Sequence, residues 1–328
     1  VTHRNGTTTI SSLYATGDFT VSGGTLTVEN TVQVDDDFAL QGGTLKDASI
    51  LRGGEAGLVV PYSHDAVLDG VTLEADLTME GGGTRVTVLN SLTLNSTVNL
   101  NHVSGSSVDL VFHGSQTLLG DGSIVFGSAN SGKAIRSFTG TLTIGSGITI
   151  GGGSGVVGWG SEPLINYGTI APQSGLIEVR GTTVTNYGTL VTSGGSLDVN
   201  NIVNMGQAIA VDGRLRLVGI WDNQSLIRAA GSTVETSGTW SANGGTIELL
   251  DGVLNLGGSF STADLAGLTG TGGTLNLQGT IDNTAQTLDL DKVSGPWNVR
   301  GATVQGGTIL GEAGLVVPYS HDAVLDGV

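Results

Sequence analysis

The sequence predicts an all-β fold: a right-handed parallel β-helix (β-solenoid) of about 16 coils, each roughly 19–20 residues long, with almost no helix. Three features predict it. Short segments alternate apolar and small polar residues, glycine pairs separate them, and asparagines recur at a nearly constant spacing.

Thr25-Leu26-Thr27-Val28, Leu92-Thr93-Leu94-Asn95, Leu142-Thr143-Ile144, Leu197-Asp198-Val199, Leu215-Arg216-Leu217-Val218 and Leu275-Asn276-Leu277 all follow a period of two. In an extended strand that period sends alternate side chains to opposite faces, so each segment carries one apolar row. A helical period of 3.6 is not sustained anywhere over about ten residues.

Between these segments, Gly-Gly followed by Thr or Ser begins at Gly23, Gly42, Gly194, Gly244, Gly257, Gly272 and Gly306, and Asp-Gly begins at Asp69, Asp121, Asp212, Asp251 and Asp326. Glycine at a corner is expected to supply positive φ. Asn166, Asn186, Asn204, Asn223 and Asn243 follow one another at intervals of 18 to 20 residues, the first two inside matching Asn-Tyr-Gly-Thr segments. That spacing does not fit a hexapeptide solenoid and is half of a propeller blade of about 40–45 residues. It fits three short strands and three corners per coil. The asparagines either stack their amides along the axis or simply tolerate the left-handed conformation at a turn. From about Phe112 to Gly160 clustered glycines blur the period, and wider turns are expected there.

A longer repeat encloses the short one. Residues 54–71 and 311–328 are the same eighteen letters, GEAGLVVPYSHDAVLDGV, offset by 257 residues. Such identity points to duplication of a building unit rather than to a unique active site. Residues 1–328 are expected to form a single continuous β-solenoid. Neither end reads as a cap, so either more coils follow or the solenoid stacks on its own copies.

Composition narrows the function classes. Glycine accounts for 56 of 328 residues, against about 7 % in an average protein. With 5 prolines and 38 % hydrophobic residues the chain is neither collagen-like nor disordered. The net charge of −17 argues against nucleic acid and anionic membrane as partners. Cysteine is absent, so neither disulfides nor thiolate metal sites contribute. No apolar run reaches the ~18 residues of a membrane-spanning helix.

Gly272-Gly273-Thr274-Leu275-Asn276-Leu277, Gly279-Thr280-Ile281-Asp282-Asn283-Thr284, Ser294-Gly295-Pro296-Trp297-Asn298 and Ala323-Val324-Leu325-Asp326-Gly327-Val328 resemble the repeat unit of large bacterial β-strand-repeat surface proteins. These are similar in style to filamentous-haemagglutinin-type adhesins and autotransporter passengers. The resemblance covers most of the chain and implies export, an extracellular or bacterial cell-surface location, and a stalk, matrix or adhesive role. Tyr62-Ser63-His64-Asp65 is bulkier than such a repeat usually carries, and the resemblance brings no catalytic residues.

Several segments invite a chemical reading. Ser63-His64-Asp65 and its copy Ser320-His321-Asp322 contain the residue types of a hydrolase triad, but consecutive residues of a strand point to opposite sides. Asp35-Asp36-Asp37 with Glu29 forms the densest acidic run and offers oxygen ligands suited to Ca²⁺, or a solvated turn. Thr25/Thr27 and Thr141/Thr143 suggest an ice-binding array, interrupted by Asp198, Arg216, Glu248 and Asn276 at comparable outward positions. Trp159, Trp221, Trp240 and Trp297, with Tyr167 and Tyr187 one coil apart and expected to stack, would bind sugars if exposed or plug corners if buried. No residue is assigned a catalytic, cofactor-binding or metal-ligating role. The expectation is a structural segment of a long repetitive surface protein, possibly stacking end to end with its own copies or neighbouring repeats. The alternative is a β-helix that binds or cleaves carbohydrate, with surface glycans as partners.

Overall fold

A computed structural model describes residues 1–53, 57–101, 107–127, 132–312 and 314–328. The chain divides into two compact units, Val1–Thr182 and Thr183–Val328. Each is a parallel β-solenoid; the chain makes about 16 turns, is 62 % strand, and has essentially no helix. The helical exceptions among the described residues are the short 3-10 turns Thr262–Leu265 and Leu290–Lys292.

Period two becomes structure through stacking. Within Val1–Thr182, strand pairing aligns Phe19, Phe38, Leu58, Leu77, Val98, Ile124, Ile150 and Ile170 in one column. Every member is buried. Within Thr183–Val328 a column of the same kind runs Leu197, Leu215, Val234, Leu254, Leu275 and Trp297. Each buried aliphatic side chain contributes about 1.5–3 kcal/mol. Because the pairs are parallel and in register, one misplaced residue would move a whole segment to the wrong face.

Coil length is less uniform than the sequence suggests. Asn186 and Asn204 stand 18 residues apart, whereas Val98 pairs with Ile124 and Ile124 with Ile150, advances of 26 residues. The widening expected from Phe112 therefore begins earlier. Residues 102–106 and 128–131, which fall in these coils, lie outside the described residues.

The corners use two devices. Gly24, Gly43, Gly194, Gly258 and Gly273 have positive φ, as expected. Gly244 and Gly245 do not. Gly245 is required by closeness instead, since a Cβ there would collide with Asn223 Nδ2. That amide belongs to a ladder: Asn186 Nδ2 donates to Asn204 Oδ1 and Asn204 Nδ2 to Asn223 Oδ1, both at 2.8 Å. The three side chains are buried, and none has positive φ, so stacking rather than turn tolerance explains this spacing. Each amide also reaches a carbonyl, Gln207, Leu226 and Thr246 respectively.

Asn243 does not join them. Asp222 pairs with Ser241, which puts Ala242 in the next ladder position and leaves Asn243 exposed. The break is repaired by Asp264, whose buried carboxylate accepts from Ala242 N, Ser241 Oγ, Ser261 N and Ser261 Oγ at 2.7–3.1 Å. Asn283 then resumes the pattern, accepting from Thr262 and donating to Gly306 and Thr308.

Leu197→Asp is expected to cost about 3–5 kcal/mol, because an unpaired charge would enter an apolar column. Asn204→Ala is expected to cost about 1–3 kcal/mol by leaving buried ladder groups unpaired. Urea denaturation with amide exchange across residues 184–226 measures both.

Candidate functional site

The outward faces decide what the coils can bind. Four features stand out: a basic and aromatic depression, an acidic corner, rows of ion pairs, and the two copies of the eighteen-residue segment.

The depression forms on Thr84–Leu94, Val108–His113 and Lys133–Phe138, which pair in register. Alternation turns Arg85, Thr87, Val111, His113, Arg136 and Phe138 toward a shallow hollow of about 300 Å³. Arg136 Nη2 donates to Asp109 Oδ2 at 3.0 Å, and Ser107 Oγ donates to the same oxygen at 3.1 Å. The Arg136 guanidinium also sits 4.7 Å from the Trp159 ring centroid, a cation–π contact. His113 and Phe138 face each other at 5.4 Å, tilted by 50°. Phe138 is 54 % and Trp159 51 % exposed. Arg85 is exposed and makes no ion pair among the described residues.

Trp159 thus departs from the other tryptophans. Trp221, Trp240 and Phe260 stack at 4.7 and 4.1 Å inside their unit, and their indole nitrogens donate to Ser237 and Gly257 carbonyls. Trp297 is fully buried and donates to Leu290. Those three are corner and core plugs. Tyr167 and Tyr187 are each roughly half exposed.

Of the acidic run, Asp36 and Asp37 converge with Asp18, not with Glu29, their carboxylates lying within 4.8 Å of one another on exposed residues. Asp35 turns away. It accepts from Tyr14 Oη at 2.6 Å and Gln33 Nε2 at 3.0 Å, and these bonds hold its carboxyl below the ordinary range. Tyr14 is raised by the same hydrogen bond.

The Ser-His-Asp segments do not assemble a triad. His64 Nδ1 pairs with its neighbour Tyr62's carbonyl oxygen at 2.8 Å, and Ser63 occupies a left-handed turn at φ 61°. No serine–histidine or histidine–aspartate side-chain bond occurs there among the described residues. Arg214 and Arg216 are equally committed: Arg214 bridges Asp198 and Glu235, and Arg216 pairs with Asp198. Asn276, expected to point outward, is covered and donates to Asn255 at 2.7 Å. This second asparagine pair has a sequence signal, the 21-residue spacing of two Leu-Asn-Leu segments.

Lys133, at the start of a depression strand, is completely buried, and desolvation lowers its pKa below the ordinary 10.5. Comparison of the chain with known protein families, curated proteins and solved structures returned no match.

The Lys133 shift has a defined sign. The unfolded chain keeps this proton to higher pH than the folded one, so stability rises as pH climbs from the lowered folded pKa toward 10.5. Lys133→Met is expected to remove that part of the alkaline gain, measured as the difference between wild-type and variant urea midpoints at pH 7 and pH 10.

Proposed function

We propose that this chain is a structural segment of a long repetitive protein, placed outside the cell or on a bacterial surface, serving as stalk, filament or adhesive matrix. The observation that carries the reading is the reuse of one eighteen-residue segment at two places in the chain. Both copies adopt the same turn, with Ser63 and Ser320 at φ 61° and 70° and Gly70 and Gly327 at 66° and 70°. A sequence used twice as an ordinary coil does the work of a building unit. The outer faces support this: most of their arginines are paired with neighbours, as in Arg228 with Glu248 and Arg52 with Asp76. The likeness of its segments to adhesin and autotransporter repeats, read from the sequence alone, supports the role and the extracellular location proposed here. The net charge of −17 disfavours nucleic-acid partners. Own copies, meeting coil to coil, are the partners this reading names, and no catalytic role belongs to it.

A second reading rests on Phe138 and Trp159. The exposed Phe138 ring lines the hollow with Arg85, which makes no ion pair among the described residues, and Trp159 lies against Arg136; such a surface suits a saccharide, whose ring face stacks on aromatics while its hydroxyls or carboxylate meet a guanidinium. Binding fits this hollow better than cleavage, because Asp109 is already held by Arg136 and Ser107.

For the structural role, concentrated protein imaged by electron microscopy is expected to form fibres whose diffraction shows a meridional spacing of about 4.8 Å. Particles that stay monomeric at every concentration would refute stacking. For the saccharide reading, Phe138→Ala and Trp159→Ala should each weaken retention on immobilised polysaccharide by about tenfold, roughly 1.4 kcal/mol, with unchanged thermal unfolding.

A further inference from the structure

The hollow on Thr84–Leu94, Val108–His113 and Lys133–Phe138 has two unlike ends. At one end stands Arg85, in register with Asp65 on the preceding coil and Asp109 on the next. At the other stand His113 and Phe138, in register with each other. Asp109 and His113 lie four residues apart on one strand (113 − 109), so the two ends are separated by roughly 13 Å. Between them Thr87 and Val111 pair as a floor of short side chains, and Arg136 pairs with Val111 at the side.

The two arginines of the hollow are not equivalent. Arg136 is held by Asp109 and by the face of Trp159, and Ser107 bonds the same Asp109 oxygen. Arg85 is exposed and makes no ion pair among the described residues. Asp109 is already taken by Arg136, and Asp65, also exposed, forms no ion pair with Arg85 although the two share a register. A guanidinium keeps its charge at every ordinary pH and presents paired N–H donors that match a carboxylate. The hollow therefore offers one uncommitted cationic fork at one end and an exposed ring at the other, across a floor small enough to admit a ligand.

We propose that the hollow recognises the terminal sugar of a glycan when that sugar carries a single carboxylate. The carboxylate accepts from Arg85, the apolar ring face lies against Phe138, and the hydroxyls reach Thr87 and His113. The proposal rests on the saccharide reading above and names the class of sugar that satisfies it. One free guanidinium calls for one anionic group. A polyanionic chain is disfavoured, because its further charges would run onto a protein of net charge −17, with Asp65 exposed in register with Arg85. A neutral sugar would use the aromatic end and leave the guanidinium without a counter-charge.

The test uses the full chain and beads densely coated with one of three probes. These are lactose, lactose capped by N-acetylneuraminic acid, and the methyl ester of that capped sugar, which keeps the shape and loses the charge. The protein is expected to be retained on the acid at least about tenfold more strongly than on the ester or on lactose. Arg85→Gln should bring the acid down to the level of the ester, with unchanged thermal unfolding because the side chain is exposed. Arg85→Lys should restore part of the difference, since an ammonium lacks the paired donors. Equal retention on acid and ester overturns this proposal and leaves the saccharide reading standing, whereas retention on none of the three sinks both. An acid preference that survives Arg85→Gln overturns the assignment to this hollow. Soluble polygalacturonate that displaces the protein more effectively per carboxylate than the capped sugar would overturn it too, as the sign of a surface for polyanions.

Discussion

Backbone pairing between successive coils is the constraint on which the rest depends. A coil encloses too little to bury its own apolar row, and its strand N–H and C=O groups point along the stack rather than within the coil. Every strand therefore needs a neighbour in register, and strand segments tolerate neither insertion nor a change of period. Corners are exempt, because they are where backbone leaves the ladder. Coils of 18 and 26 residues thus coexist, with Val98, Ile124 and Ile150 still aligned in one column.

The same constraint explains the polar residues buried at corners. A corner carbonyl turned inward has no strand partner, and an amide side chain stacked on its own kind satisfies such groups repeatedly while bonding to the amides above and below. Asn186, Asn204 and Asn223 do this. Where Ala242 interrupts the row, Asp264 gathers four donors on one carboxylate. The substitution is chemically different and geometrically equivalent: the buried donors find acceptors either way.

Outward rows answer to a weaker rule, since water satisfies what neighbours do not. Their charges pair along the stack, as between Asp198, Arg214 and Glu235. Exposed pairs of this kind add little stability, but they leave few arginines free for a ligand among the described residues. The hollow lined by Arg85, His113 and Phe138 stands out because aromatic surface meets an arginine that makes no ion pair among the described residues, in a chain of strongly negative net charge.

Local pattern by itself determined the strands, the approximate coil length and the reuse of residues 54–71. Alternation, glycine pairs and exact repetition are properties of short segments, and the parallel ladder only adds them up. The stacking of asparagines was readable as a spacing, yet Asn243 shares the spacing and lies outside the ladder, because one residue of drift at a corner exchanges it for Ala242. Tertiary structure alone decided which tryptophan is open, that Asp18 rather than Glu29 joins Asp36 and Asp37, and that Arg85 meets His113 and Phe138. Those outcomes depend on which residues of neighbouring coils fall side by side, and that register is fixed by corner lengths no single segment encodes.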